Sequence, residues 1–417
     1  MRYYYFIILS ILSFCVSAQD TTQIVHAERK NALAQQAKPY VILISADGFR
    51  SDFSVKYGAK FLQSREANGV KAEAMIPSYP TLTFPNHYTL VTGLYPSHHG
   101  LVNNRFYDVA SGKEYSMGNK KMVAEGKWYG GTPLWVLAEK QGMLSASFYW
   151  VASEADIQGI RPTYLYTYNE SIPIERRIQA VKDWLSLPTE KRPHLITFYF
   201  PEVDHDAHEY GPEDPRVGDA VSFVDQSIAK LQAALDPLKL PINYVFVSDH
   251  GMTTVDTEHP LRKPAMLLDT ASFKVPSGDA LVHVFAKIPA IVPNALNELR
   301  KQNLFQAYLL DETPAHWHFR KSDDYFNRLG DILLVPNHPS IFNFGTRKPS
   351  PGKHGYDNHL PAMQASFQAW GPAFKTGIKI PAFENVHVYP MVGKILGLTI
   401  DESTIDGRLK QLKPILK

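Results

Sequence analysis

The stretch Val41-Ile42-Leu43-Ile44-Ser45-Ala46-Asp47-Gly48 decides the fold class, and its first four residues carry the reading. Four large apolar side chains in a row suit a strand covered on both faces, since a strand with one wet face would alternate polar and apolar residues. Residues 194–200 (HLITFYF) and 243–247 (NYVFV) have the same character. Helical patterns separate these runs. Thr132-Pro133 opens one that Gly142 closes, with proline early and glycine past the end. Asp214-Pro215 opens another, with apolar residues at Val217, Val221, Val224, Ile228, Leu231 and Leu235. Those gaps of four and three trace one face of a helix. Strands alternating with helices predict an α/β domain built on a mostly parallel sheet. Residues 255–345 are less regular and rich in proline, and an inserted subdomain is expected there, although no linker composition marks its borders. No internal repeat or low-complexity tract interrupts the chain.

Composition narrows the function. The 417 residues are 44% hydrophobic and 12% aromatic, which excludes a disordered chain. Forty-three basic against 41 acidic residues leave +2, and no basic run stands out, so binding to a nucleic-acid duplex is not expected.

Residues 1–18 read as an export signal. Arg2 is the only charge, an apolar stretch runs over residues 3–16, and Val16-Ser17-Ala18 supplies small residues for cleavage before Gln19. The alternative is an uncleaved anchor, for which the stretch is short: a bilayer span needs about 20 apolar residues. Cys15 lies inside this segment, with Phe14 where a lipoprotein signal wants a small residue. The mature domain, residues 19–417, would then contain no cysteine and no transmembrane segment. That composition suits a periplasmic or secreted bacterial protein.

Each predicted strand end carries metal-ligand residues. The first runs into Asp47-Gly48, the second leads through Pro201-Glu202 to Asp204 and His208, and the third ends in Asp249-His250-Gly251. Ligand sites in open α/β sheets collect at the carboxyl ends of strands, so residues distant in sequence can converge. Taken singly, each has a plain structural use: Asp47 as a turn residue, Asp204 and His208 as one face of a helical turn. His354 adds an imidazole between glycines, in Gly352-Lys353-His354-Gly355. Together, three acids and three histidines match two zinc ions with three protein ligands each. Paired metals serve in-line phosphoryl transfer. Thr83 precedes a helical run over residues 84–91 that stops at Gly93. A hydroxyl near a helix N-terminus is by default a capping group, and beside two metals it becomes a nucleophile.

The motif Pro80 to Asn104 (PTLTFPNHYTLVTGLYPSHHGLVNN) resembles the nucleotide pyrophosphatase/phosphodiesterase family of the alkaline phosphatase superfamily. So do GTPLWVLAEKQG from Gly131, DHDAHEYGP from Asp204, SDHGM from Ser248 and HGYDN from His354, in the family's order. The resemblance runs from Tyr40 to about Leu398. It implies an alkaline-phosphatase-like three-layer fold, with helices on both faces of the sheet. It also implies two Zn2+ ions, one held by Asp47, Asp249 and His250, the other by Asp204, His208 and His354. Thr83 would be the nucleophile, passing through a phosphothreonine, and Asn104 would bind a non-bridging phosphoryl oxygen. Phe84 and Tyr168 would sandwich the base of a nucleotide or nucleotide ester, and the product would be a nucleoside 5′-monophosphate. His87 would support the site from behind, whereas His98 and His99 would serve structure or face solvent.

Some features separate the chain from its cousins. His205-Asp206-Ala207 stands between Asp204 and His208, where animal members carry small residues, so the local surface is more polar. The resemblance implies the minimal catalytic domain found in bacterial relatives, without the extra domains of the long animal members. A sulfatase would need a Cys or Ser to convert, and Thr83 is neither. Two alternatives remain. One is a diesterase for choline-type headgroups, which needs an aromatic cage of the kind Trp128, Tyr129 and Trp150 offer. The other is a zinc- or nucleotide-binding protein without turnover.

Overall fold

The computed structural model describes residues 22–417, so the expected export signal, residues 1–18, lies outside the described residues. A nine-stranded sheet forms the spine. Its order is Gln23–Val25, Tyr164–Tyr166, Ser145–Phe148, Leu195–Phe200, Tyr40–Ala46, Ile242–Val247, Phe367–Trp370, Gly69–Ala72 and Ile378–Ile380. The five strands from Tyr164–Tyr166 to Ile242–Val247 run parallel to one another. Phe367–Trp370 runs antiparallel to both of its neighbours, and Gln23–Val25 is antiparallel at the edge.

Both faces of the sheet are covered. Within Tyr40–Ala46 every residue is buried, and side chains alternate between two cores. Val41 and Leu43 join one apolar cluster, to which the helices Thr83–Thr92, Leu134–Lys140 and Val388–Leu396 contribute. Ile42 and Ile44 join the other, under the helices Ile174–Ser186 and Pro215–Leu235. The result is helix, sheet, helix: the three layers and mostly parallel sheet expected above. The stripe predicted from Val217 to Leu235 is fully buried along Pro215–Leu235. Each such side chain contributes about 1.5–3 kcal/mol by leaving water. A charge at Val221 or Ile228, both at 0% exposure, would break the packing of this helix.

Residues 267–342 include a separate four-stranded antiparallel sheet, ordered Phe273–Lys274, Val282–Ala286, Ile332–Pro336 and Phe305–Leu309. The helix Val292–Arg300 packs on it, and Leu267, Val284, Leu299 and Ile332 build its own apolar cluster. Among the described residues no helix is long and apolar enough to cross a membrane.

Candidate metal centre and active site

Register brings the acids together. Leu195–Phe200, Tyr40–Ala46 and Ile242–Val247 are parallel neighbours, with Ser45 paired to both Tyr199 and Val247. Their carboxyl ends are therefore level. Asp47 follows the central strand directly, Asp249 follows the third after one residue, and Asp204 sits in the helix Glu202–Tyr210 that leaves the second. Gly48 makes the turn possible. It has φ +66°, and a Cβ there would stand 3.1 Å from the Asp204 backbone. Its N–H donates to Asp249 Oδ1 at 3.1 Å, tying two strand ends together. His208 lies one turn beyond Asp204, and His354 arrives from the loop after residues 352–353.

Two groups of ligand-type atoms result, each within 4.8 Å: Asp47, Asp249 and His250, and Asp204, His250 and His354. His208 completes the second, with Nε2 at 3.4 Å from Asp204 Oδ1 and 3.1 Å from His354 Nε2. His250 lies between the groups, and its ring stacks on His354 at 3.6 Å.

The donor set fits divalent metals on three observations. First, every imidazole commits Nδ1 to a main-chain carbonyl at 2.8 Å: His250 to Gly251, His208 to Gly352 and His354 to Thr81. Those bonds fix the tautomer and leave Nε2 as a lone pair aimed inward. Second, Asp47 Oδ1, Asp204 Oδ1 and Asp249 Oδ2 are buried without a hydrogen-bond partner. Such atoms are costly in a protein interior unless a cation binds them, so they fit a metal at this point. Third, Asp249 Oδ2 lies 2.9 Å from His250 Nε2 and still makes no hydrogen bond, as two atoms do when both point at a third.

Electrostatics agree. Burial, reinforced by the charges of Asp249 and Asp204, drives the Asp47 carboxyl far above the ordinary carboxylate range. Burial also holds the His354 imidazole far below its usual value, helped by His250 and His208. Three buried carboxylates this close repel one another unless positive charge joins them.

Thr83 is the first residue of the helix Thr83–Thr92, one place inside the cap, which is Leu82. Its hydroxyl caps nothing. Oγ1 instead stands 3.3 Å from His250 Nε2. Asn104 reaches the same helix start, where its Oδ1 accepts from the Phe84 N–H at 3.0 Å. Pro85 has no N–H, so Asn104 and Thr83 offer the remaining donors at this end. His87 lies fully buried behind the centre, with Nδ1 3.3 Å from Asp249 Oδ2 and Nε2 2.8 Å from Ser45 Oγ.

A cavity of about 580 Å³ opens onto these groups. Asp47, Thr83, Phe84, Asp204 and Tyr168 line it, together with Tyr149, Trp150, Glu154 and Lys120. Phe84 and Tyr168, both partly buried, thus share one pocket with Thr83. Tyr168 is held by Glu154, which accepts from its N–H at 2.6 Å, and by Glu170, which accepts from its hydroxyl at 2.5 Å. Of the aromatics proposed for a choline cage, only Trp150 reaches the cavity, while its indole N–H donates to the His87 carbonyl at 3.1 Å. Trp128 and Tyr129 are buried against Phe106, Tyr115 and Tyr88 and do not line it. His205 faces the pocket, 3.5 Å from Glu170, and stands apart from the ligand groups. His99 is buried, with Thr89 Oγ1 at 3.0 Å, and His98 pairs with Asp406 at 2.8 Å.

The sequence had not singled out Tyr199, Glu154 or Glu170. Tyr199 donates to Asp47 Oδ2 at 2.6 Å. The available signal was a hydroxyl next to the end of a largely apolar strand that leads into the site.

Residues 41–357 match the family described as type I phosphodiesterase/nucleotide pyrophosphatase. The chain belongs to this family. The human ectonucleotide pyrophosphatase/phosphodiesterase family member 1 is 36% identical over 381 residues, covering 87% of this chain and 40% of that protein. Venom phosphodiesterase of Naja atra is 33% identical over 373 residues, covering 86% and 44%. The chain thus spans about two-fifths of the length of these curated relatives. Among solved structures, murine ectonucleotide pyrophosphatase/phosphodiesterase 5 superposes with a TM-score of 0.83 at 28% identity, over 91% of this chain and 100% of that chain. An inactive threonine-to-alanine variant of that murine protein, in complex with AMP, gives the same TM-score at 27% identity. The resemblance read from the motifs therefore holds for family and fold.

Proposed function

We propose that the chain hydrolyses phosphodiester or phosphoanhydride bonds of nucleotides to nucleoside 5′-monophosphates, with Thr83 as nucleophile beside two zinc sites. The observation that carries this reading is the Thr83 hydroxyl, left uncapped 3.3 Å from His250 Nε2 and open to the cavity. Asp47, Asp249 and His250 would hold one metal, and Asp204, His208 and His354 the other. Imidazole and carboxylate donors without sulfur suit zinc. Bound there, divalent metals supply Lewis acidity at the phosphoryl oxygens and favour ionisation of a nearby hydroxyl.

The chain's own groups do the rest. The helix Thr83–Thr92 is buried from Pro85 onward, so Thr83 Oγ1 is held at a fixed point. As Oγ1 bonds to phosphorus, the bond to the departing oxygen breaks, leaving a phosphothreonine. Water then cleaves this ester from the vacated side and restores the hydroxyl. Asn104 keeps Oδ1 on the Phe84 N–H, and its NH2 is the group that donates to a non-bridging phosphoryl oxygen. Phe84 and Tyr168 clasp the base. Tyr199 holds Asp47 in place through its hydroxyl. The AMP complex of the murine variant supports a nucleotide in this pocket. The signal-like residues 1–18 support action in the periplasm or outside the cell.

Acid-quenching a reaction in progress and mapping phosphate by mass spectrometry tests the reading. Phosphate on the Thr83 peptide is expected, and none in Thr83→Ala. Steady turnover by Thr83→Ala would remove Thr83 from this role.

A second reading, a diesterase for choline-type headgroups, draws on Tyr149, Tyr168, Glu154 and Glu170 in the same cavity. Aromatic faces with acids nearby also suit a quaternary ammonium. Relative turnover of an aryl ester of thymidine monophosphate and of aryl phosphocholine separates the two.

A further inference from the structure

His316, Asp357 and His359 form a third group of ligand-type atoms within 4.8 Å of one another. It shares no residue with the centre described above. His316 lies in the short turn Ala315–Trp317, while Asp357 and His359 lie just beyond His354. His316 Nε2 stands 3.1 Å from Asp357 Oδ2 and 3.4 Å from Oδ1. Neighbouring ligands of one tetrahedral zinc are separated by about 3.3 Å, given bonds near 2.0–2.1 Å.

Two features show that the cluster is built. Asp357 is held from both sides: Trp317 Nε1 donates to Oδ2 and the His359 N–H donates to Oδ1, each at 2.7 Å. The Trp317 ring is fixed in turn by stacking on Tyr79 at 4.0 Å. The His359 ring lies flat against His316, 4.0 Å between centroids, and its nitrogens have no hydrogen-bond partner among the described residues. The His316 and Asp357 side chains are 34% and 37% exposed, so an ion can enter from solvent and retain water in its open positions.

We propose that His316, Asp357 and His359 bind a further divalent transition metal, with zinc as the best match to two imidazoles and one carboxylate. Such an ion would pin the Ala315–Trp317 turn to the segment that carries His354. Occupancy would then bear on the placement of that histidine.

The test is equilibrium dialysis of the full chain against Zn2+, comparing wild type with His316→Ala/His359→Ala. Wild type is expected to retain one more zinc per chain than the double variant, whatever the number held at the buried centre. Equal numbers overturn the proposal. A second measurement needs no variant: modification of histidines by diethyl pyrocarbonate, read by mass spectrometry. Zinc is expected to protect both His316 and His359, and unchanged modification of these two rings with zinc present overturns the proposal as well.

Discussion

The Nε2 atoms of His208 and His354 face each other at 3.1 Å, although each ring has given Nδ1 to a main-chain carbonyl. Two lone pairs in that position repel, and a shared cation turns the repulsion into coordination. Replacing one ring removes the ligand and leaves Asp204 without its counter-charge. If the centre holds two metals as proposed, His354→Ala is expected to lose one of them. Diester hydrolysis should fall by more than the roughly 10–100-fold that loss of an outer partner costs. Metal analysis beside steady-state rates checks both.

Tyr199 is such an outer partner, since its hydroxyl donates to Asp47 Oδ2 at 2.6 Å. Tyr199→Phe should keep the fold, because the ring stays packed, and should weaken metal binding or activity by about 10–100-fold. Raising the zinc concentration should restore much of the rate. A rate equal to wild type at limiting zinc would show that Asp47 needs no such support.

Asn104 is positioned by the Phe84 N–H, so its NH2 is oriented before substrate arrives. A preset donor acts on charge that grows during reaction and contributes chiefly to kcat. Asn104→Ala is expected to lower kcat by about 100-fold or more with little change in KM. A pure KM effect would instead assign Asn104 to ground-state binding.

His283 gives a pH prediction away from the site. It is fully buried, burial lowers its pKa to about 4, and its Nδ1 stays on the Leu329 carbonyl at 2.9 Å. Between the ordinary value of 6.5 and about 4, the unfolded chain binds the proton and the folded chain does not. Stability is therefore complete above pH 6.5 and declines as pH falls through this window, by on the order of 3 kcal/mol at pH 4. His283→Asn removes the titration and keeps a donor for Leu329. Urea unfolding across pH should show a shallower acid limb for the variant than for wild type.

Much of the fold was legible because burial on both faces leaves a plain mark in sequence. The runs at 41–44, 194–200 and 243–247 became three adjacent central strands, each moved by one to three residues at its ends. The stripe from Val217 to Leu235 had a period only a helix satisfies. Gly69–Ala72 and Ile378–Ile380 were not legible: at four and three residues they carry no pattern of their own and exist by pairing with Phe367–Trp370 and with each other. The ligand-type residues could be read because acids and histidines stand out at strand ends. What holds them could not. Tyr199 looks like one more apolar strand residue, and the carbonyls of Thr81, Gly251 and Gly352 that orient the imidazoles have no sequence signature. Thr83 lies one residue further into its helix than its sequence suggested, because Leu82 takes the cap position and leaves the hydroxyl uncommitted.

The central claim is that Asp47, Asp249, His250, Asp204, His208 and His354 hold metal that the reaction at Thr83 requires. Hydrolysis of an aryl ester of thymidine monophosphate, followed through exhaustive chelation and then zinc replenishment, tests it most directly. The rate is expected to vanish with the metal and to return with added zinc, and Thr83→Ala should stay inactive throughout. A rate undiminished in thoroughly metal-free protein would contradict the account.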